Sequence, residues 1–239
     1  PDRFPLVYYR ENCADAALSI DDVDACPIAE ARVFQYAGTN LSVEPSRTAT
    51  LYAAEVARAA GKTVVLDLDF RADQWPDPRS FGVAVRSGLH NVDVILGTAD
   101  EIRAAVLTDP DAMSVTHSQV SDAQIEGDVR RAVPELMRHG PGVVIEKVGA
   151  EGARVHEVGD GSIDSRDAAG FPVEIANVLG AGDAFGAGFI YGIVQDWDLV
   201  RCARFGNACG AIVVTEHGCA NFMPSLDEVN RFVDERGGL

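Results

Sequence analysis

No run of apolar residues in this chain approaches the length needed to cross a bilayer. The opening Pro1-Asp2-Arg3-Phe4-Pro5 has neither the basic nor the apolar region of a secretory leader. A soluble, cytoplasmic protein is the expectation. Basic charge is in short supply, with 20 Lys and Arg against 37 Asp and Glu and a net charge of −17. A polyanion is repelled by nucleic acid and by anionic membrane, so neither is expected as a partner. Cysteine is sparse and odd in number: Cys13, Cys26, Cys202, Cys209 and Cys219 form no CxxC pair. That argues against a disulfide framework and for reduced, buried thiols. His217-Gly218-Cys219 has no second ligand pair at zinc spacing, so no metal site is expected there. Internal repeats and low-complexity segments are missing, as are the GxxxxGK[ST] phosphate loop and the protein-kinase signatures.

What is present is a strand–helix alternation. With 239 residues and 47% hydrophobic content, the chain reads as one globular unit, residues 1–239. Leu6–Arg10 reads as a strand, which makes the sequence look as if it starts in the middle of a fold. Strands are expected over 31–39, 63–68, 92–97 and 142–148, with helices over 45–60, 79–89, 99–107 and 124–139 between them. Short continuous apolar runs such as Thr63–Leu68 mark strands covered on both faces. Four such alternations predict a parallel sheet with helices on both sides. From 153 the pattern changes. Ala153–Val158 and Phe171–Ala176 read as antiparallel strands around a Gly159-Asp160-Gly161 turn, and helices follow over 181–195, 198–214 and 225–236.

Ligands of an open parallel sheet sit outside the carboxyl ends of its strands. The informative segment is Asn177-Val178-Leu179-Gly180-Ala181-Gly182-Asp183, where two glycines precede a long apolar helix. Free N–H groups and the positive dipole end at such a helix start bind phosphate. Asp183, in the first turn, is placed to accept a proton from an attacking hydroxyl. Its alternative is an ordinary helix-terminal acid. Small residues at 184, 186, 187 and 188 are read as allowing close approach of a ligand. A dinucleotide fingerprint is rejected, because only helices follow where a second βαβ strand would be needed.

Val178–Phe185 resembles the signature of the ribokinase-like (PfkB) carbohydrate kinases, Asp-Thr-x-Gly-Ala-Gly-Asp-x-Phe, with Asn177 and Val178 at the Asp-Thr positions. That departure is similar to the 5-dehydro-2-deoxygluconate kinases of inositol catabolism. Tyr8–Asp15, Asp67–Arg71, Asn207–Val214, His217–Ala220 and Met223-Pro224 also fit that subgroup. The resemblance implies a three-layer α/β/α sandwich with a mostly parallel central sheet, and ATP and Mg2+ as cofactors. It implies Asp183 as general base and Gly180, Ala181 and Gly182 as the anion hole. Lys147, Gly149 and Gly152 match the strand-end loop against the nucleotide, and Asn207 the helix bordering adenosine. Glu101 matches the acid that helps place magnesium through water, with Thr98 in place of the usual Asn. Tyr8, Arg10, Asp69 and Arg71 match substrate positions, and a planar guanidinium fork suits a sugar carboxylate. The implied partners are therefore a sugar acid and ATP. Relatives often dimerise through a lid, so a homodimer is also implied. Members begin with an N-terminal part carrying the first strands, a lid sheet and an acidic sugar-binding residue. That part has no counterpart here, so the expected domain is N-terminally incomplete. A kinase for another substrate, such as 2-keto-3-deoxygluconate or fructose, and a lid-less binding module are the alternatives.

Overall fold

The computed structural model describes residues 12–115 and 123–239. The expected strand at Leu6–Arg10 lies outside them. The elements, in chain order, are α1 (Ile20–Asp24), β1 (Val33–Ala37), α2 (Ser46–Ala59), β2 (Thr63–Asp67), α3 (Pro78–Gly88), β3 (Val94–Thr98) and α4 (Ala99–Ala104). They continue with β4 (Met113–Val115), β5 (Ala123–Ile125), α5 (Val129–Met137), β6 (Val143–Lys147), β7 (Gly152–Val158) and β8 (Ile163–Ala169). Three helices close the chain: α6 (Ala181–Val194), α7 (Leu199–Val213) and α8 (Leu226–Asp234).

The main sheet has the order β1-β2-β3-β6-β7-β8, and β4-β5 form a separate two-stranded sheet. β1, β2, β3 and β6 run parallel, whereas β7 and β8 are antiparallel. Strand alternation divides the core in two. Val64, Leu66, Ile95 and Val144 pack with Phe81, Val85, Leu89 and Leu136 on the face covered by α2 to α5. Val65, Leu96, Ile145 and Val155 pack with Phe185, Phe189 and Cys202 on the α6–α7 face. Each fully buried side chain of this size contributes about 1.5–3 kcal/mol. The sandwich is thus three layers deep, as expected.

Two expected elements are displaced. The second antiparallel strand is Ile163–Ala169, directly after the Gly-Asp-Gly turn, not Phe171–Ala176. It is a polar sheet-edge strand in which only Ala168 is buried, so no apolar run announces it. The stretch expected as helix from 124 begins instead with β5, whose Ala123 and Ile125 are buried on either side of exposed Gln124. Asp128 then starts α5 by accepting a bond from the Arg130 N–H at 2.9 Å. The thiol expectation is also only half met. Cys202 and Cys209 are buried, and burial pushes them up to about 11 and about 12, while Cys26 is exposed.

Candidate active site

The site is built around the first turn of α6. Asn177 shapes the approach: its Oδ1 accepts from the Leu179 N–H at 3.1 Å and its Nδ2 donates to the Gly218 carbonyl at 2.7 Å. The chain then turns at Gly180, which caps the helix at φ 84°, in the left-handed region that favours glycine. A Cβ there would also lie 2.7 Å from Cys219 Sγ. The Ala181 N–H is committed to the Val178 carbonyl at 3.3 Å. The N–H groups of Gly180, Gly182 and Asp183 have no backbone acceptor among the described residues. Unsatisfied donors at a helix start are an anion site in waiting. Of the expected anion-hole residues Gly180, Ala181 and Gly182, only Ala181 has its N–H committed, while the neighbouring Asp183 N–H is also without a backbone acceptor among the described residues. The Asp183 carboxylate itself is exposed and has no hydrogen bond or ion pair among the described residues.

Lys147 is brought to the same place from the end of β6. A Cβ built on Gly182 would meet only its Nζ, at 3.5 Å. The ammonium is buried, 3.0 Å from Asp67 at the end of β2 and 3.7 Å from Glu101 at the start of α4. Burial disfavours its charge, but Asp67 and Glu101 outweigh that and hold Lys147 above the usual lysine range. Burial pushes the Asp67 carboxyl up to about 6, against the opposing pull of Lys147. One ammonium among several carboxylates cannot satisfy all of them, which is why the lysine rises while Asp67 is not lowered.

Glu101 owes its position to a capping box. Its Oε2 accepts from the Thr98 N–H at 2.7 Å, and the Thr98 hydroxyl accepts from the Glu101 N–H at 3.3 Å. Asp69 lies two residues beyond β2 with φ 36°, an uncommon conformation for a residue with a side chain and one found often at functional sites. Burial raises its carboxyl, while the Arg71 guanidinium, 2.7 Å away, opposes that rise.

Other expected residues have different surroundings. Gly149 has φ 59° and open space where a Cβ would be. Gly152 is packed against the sheet edge, since a Cβ would lie 2.3 Å from the Ala168 carbonyl oxygen. Asn207 is buried, with Nδ2 donating to the Ala168 and Ala169 carbonyls at 2.8 and 3.0 Å, so its amide hydrogens tie α7 to β8. The small residues of α6 serve packing more than ligand approach: a Cβ on Gly188 would be 2.7 Å from Cys209 Sγ on α7. Tyr8 and Arg10 lie outside the described residues. Asp67 was missed as a site residue, although an acid ending the apolar run Val64-Val65-Leu66 signalled it. The Thr-x-x-Glu spacing of the capping box was equally visible.

Magnesium takes oxygen ligands and keeps several of its waters. Asp67, Asp69 and Glu101 offer the right donor chemistry. No group of three or more His, Cys, Asp or Glu among the described residues is spaced to hold a metal directly. The residues fit an ion held largely through water and phosphate oxygens. None of the helices among the described residues is long and apolar enough to cross a membrane.

The profile of the pfkB family carbohydrate kinases matches residues 5–226. The chain is 29% identical over 236 residues to the 5-dehydro-2-deoxygluconokinase of Geobacillus kaustophilus (strain HTA426), covering 98% of this chain and 65% of that protein. It is likewise 29% identical over 236 residues to the enzyme of that name from Clostridium tetani (strain Massachusetts / E88), covering 99% of this chain and 65% of the relative. The chain thus spans just under two thirds of the length of these relatives. Among solved structures, aminoimidazole riboside kinase from Salmonella enterica, complexed with aminoimidazole riboside and an ATP analog, superposes with a TM-score of 0.75 at 23% identity, covering 95% of this chain and 70% of that one.

Proposed function

The chain belongs to the pfkB family of carbohydrate kinases, and from that premise we propose that it transfers a phosphoryl group from ATP to a hydroxyl of a sugar acid. The observation that carries the reading is the start of α6, where unsatisfied N–H groups, a buried ammonium and an exposed carboxylate surround Gly182. The Gly180, Gly182 and Asp183 amides hold anionic oxygens, helped by the helix dipole. Lys147, fixed by Asp67 and Glu101, adds positive charge beside them. Asp183 takes the proton of the attacking hydroxyl as its oxygen bonds to phosphorus and the bond from phosphorus to the departing ADP breaks. Magnesium, when bound, neutralises phosphate charge; Glu101 and Asp67 would hold it through water. Replacing Asp183 with Asn preserves size but removes the proton acceptor. Turnover should fall by about 10²–10⁴-fold with nucleotide affinity little changed. Steady-state kinetics with parallel calorimetry checks this, and turnover within a few-fold of the parent would reduce Asp183 to a helix-terminal charge.

For the substrate we favour 5-dehydro-2-deoxy-D-gluconate, phosphorylated to its 6-phosphate, because relatives carry that name and Arg71 follows the carboxyl end of β2. One observation favours a neutral sugar instead: Arg71 already faces Asp69 at 2.7 Å. Arg71→Met separates the two. If Arg71 holds a carboxylate, kcat/KM should drop about ten- to a hundredfold more for the sugar acid than for fructose. Equal losses would give the arginine a structural part that includes the Asp69 pair.

A further inference from the structure

The sheet face opposite α6 carries a second polar site. Strand alternation sends Val143, Ile145 and Lys147 of β6 towards α6, and turns Val144 and Glu146 the other way. By the same alternation, Arg154 and His156 of β7 and Ser165 of β8 share the face of Glu146. There they line a groove of about 480 Å³ together with Arg103 of α4 and Arg130 in the first turn of α5.

Three guanidinium groups, those of Arg103, Arg130 and Arg154, gather on one groove in a chain of net charge −17. The lining carboxylates are Asp128 and Glu146. Arg103 Nη1 bonds to Asp100 at 3.0 Å, but its Nε is buried without a hydrogen-bond partner among the described residues. Arg154 turns Nε to Asp167 at 2.7 Å, and its Nη1 stays 3.9 Å from Glu146. Arg130 is exposed and makes no ion pair among the described residues. On the groove floor, buried His156 joins Glu146 through Nε2 at 3.2 Å and Ser165 Oγ through Nδ1 at 2.9 Å.

We propose that this groove binds a small oxyanion, a phosphate or carboxylate group on a metabolite-sized molecule. Guanidinium forks match either group, and the volume suits a small molecule. The site does not depend on the kinase reading. It does touch the same elements: Glu146 adjoins Lys147 on β6, and α4 carries both Glu101 and Arg103.

The test titrates the protein with inorganic phosphate and, separately, with malonate, following the His156 ring resonances by long-range ¹H–¹⁵N correlation. His156→Gln identifies those resonances. The parent should show a saturable displacement with at least one anion. Phosphate alone would indicate a phosphate-bearing ligand, malonate alone a carboxylate-bearing one, and both an oxyanion of either kind. Arg130→Glu, an exposed change whose folding circular dichroism can verify, should weaken binding about tenfold or more. Gly182→Val, which fills the cradle on the other face, should leave the displacement intact. The proposal fails if neither anion moves the ring, if Arg130→Glu binds as the parent does, or if Gly182→Val abolishes the response.

Discussion

The first turn of α6 and its body both rely on small residues, for opposite reasons. A Cβ on Gly182 would touch only Lys147 Nζ, at an ordinary 3.5 Å, so glycine there keeps space clear beside unsatisfied amides. A Cβ on Gly188 would lie 2.7 Å from Cys209 Sγ and 3.0 Å from Gly206 Cα. On Gly192 it would lie 2.7 Å from Cys202 Sγ and 2.9 Å from Cys202 Cα. Glycine in the body lets α7 approach at backbone distance. One sequence pattern thus divides into a part that stays open and a part that packs, and the division falls within a single helix.

The largest expected effect tests the charge that accompanies the open turn. Lys147→Met leaves Asp67 buried without its cation, which should cost about 3–5 kcal/mol of stability. The double variant Lys147→Met/Asp67→Asn should recover much of that loss in urea unfolding. A single variant as stable as the parent would mean that the ion pair does not organise the turn. Next, Gly188→Val should destabilise by about 1–3 kcal/mol through overpacking against α7, lowering Tm by about 2–4 °C per kcal/mol. Gly182→Val should change stability less, while weakening ATP binding and turnover together, as calorimetry and kinetics would read. If both valines acted alike, the contrast between turn and body would be lost.

The most gradual effect is a pH dependence, because burial of Asp67 outweighs the opposing pull of Lys147. The folded-state value is raised to about 6 from an ordinary value of 3.8. The folded protein therefore holds this proton more tightly than the unfolded chain between those values. The resulting stabilisation is complete below about pH 4 and lost as pH rises through about 6. Relative to Asp67→Asn, the parent should lose stability between pH 4.5 and pH 7 in urea titrations. A constant difference would contradict the raised value.

β2, β3 and β6 were legible because each carries a short apolar run buried on both faces, as in Val64-Val65-Leu66, whereas the edge strand β1 buries only Tyr36. β8 was not, because Ile163–Ala169 is a polar edge strand defined by its pairing with β7 rather than by its own pattern. The tight turn into α6 was legible from Gly180 and Gly182 before an apolar helix. The hydrogen bonds of the Asn207 amide to Ala168 and Ala169 were not, because they join residues 39 and 38 positions apart.

The sequence by itself determined the α/β alternation, the parallel sheet and the helix start at Gly180–Asp183. These are local or periodic properties, written in adjacent residues. Only the tertiary structure decided that Lys147 stands at Gly182 among Asp67 and Glu101, and that Glu146, next in the chain, faces an arginine-lined groove. Those positions follow from which strands lie side by side and from the two-residue alternation across a sheet, which sends chain neighbours to opposite faces.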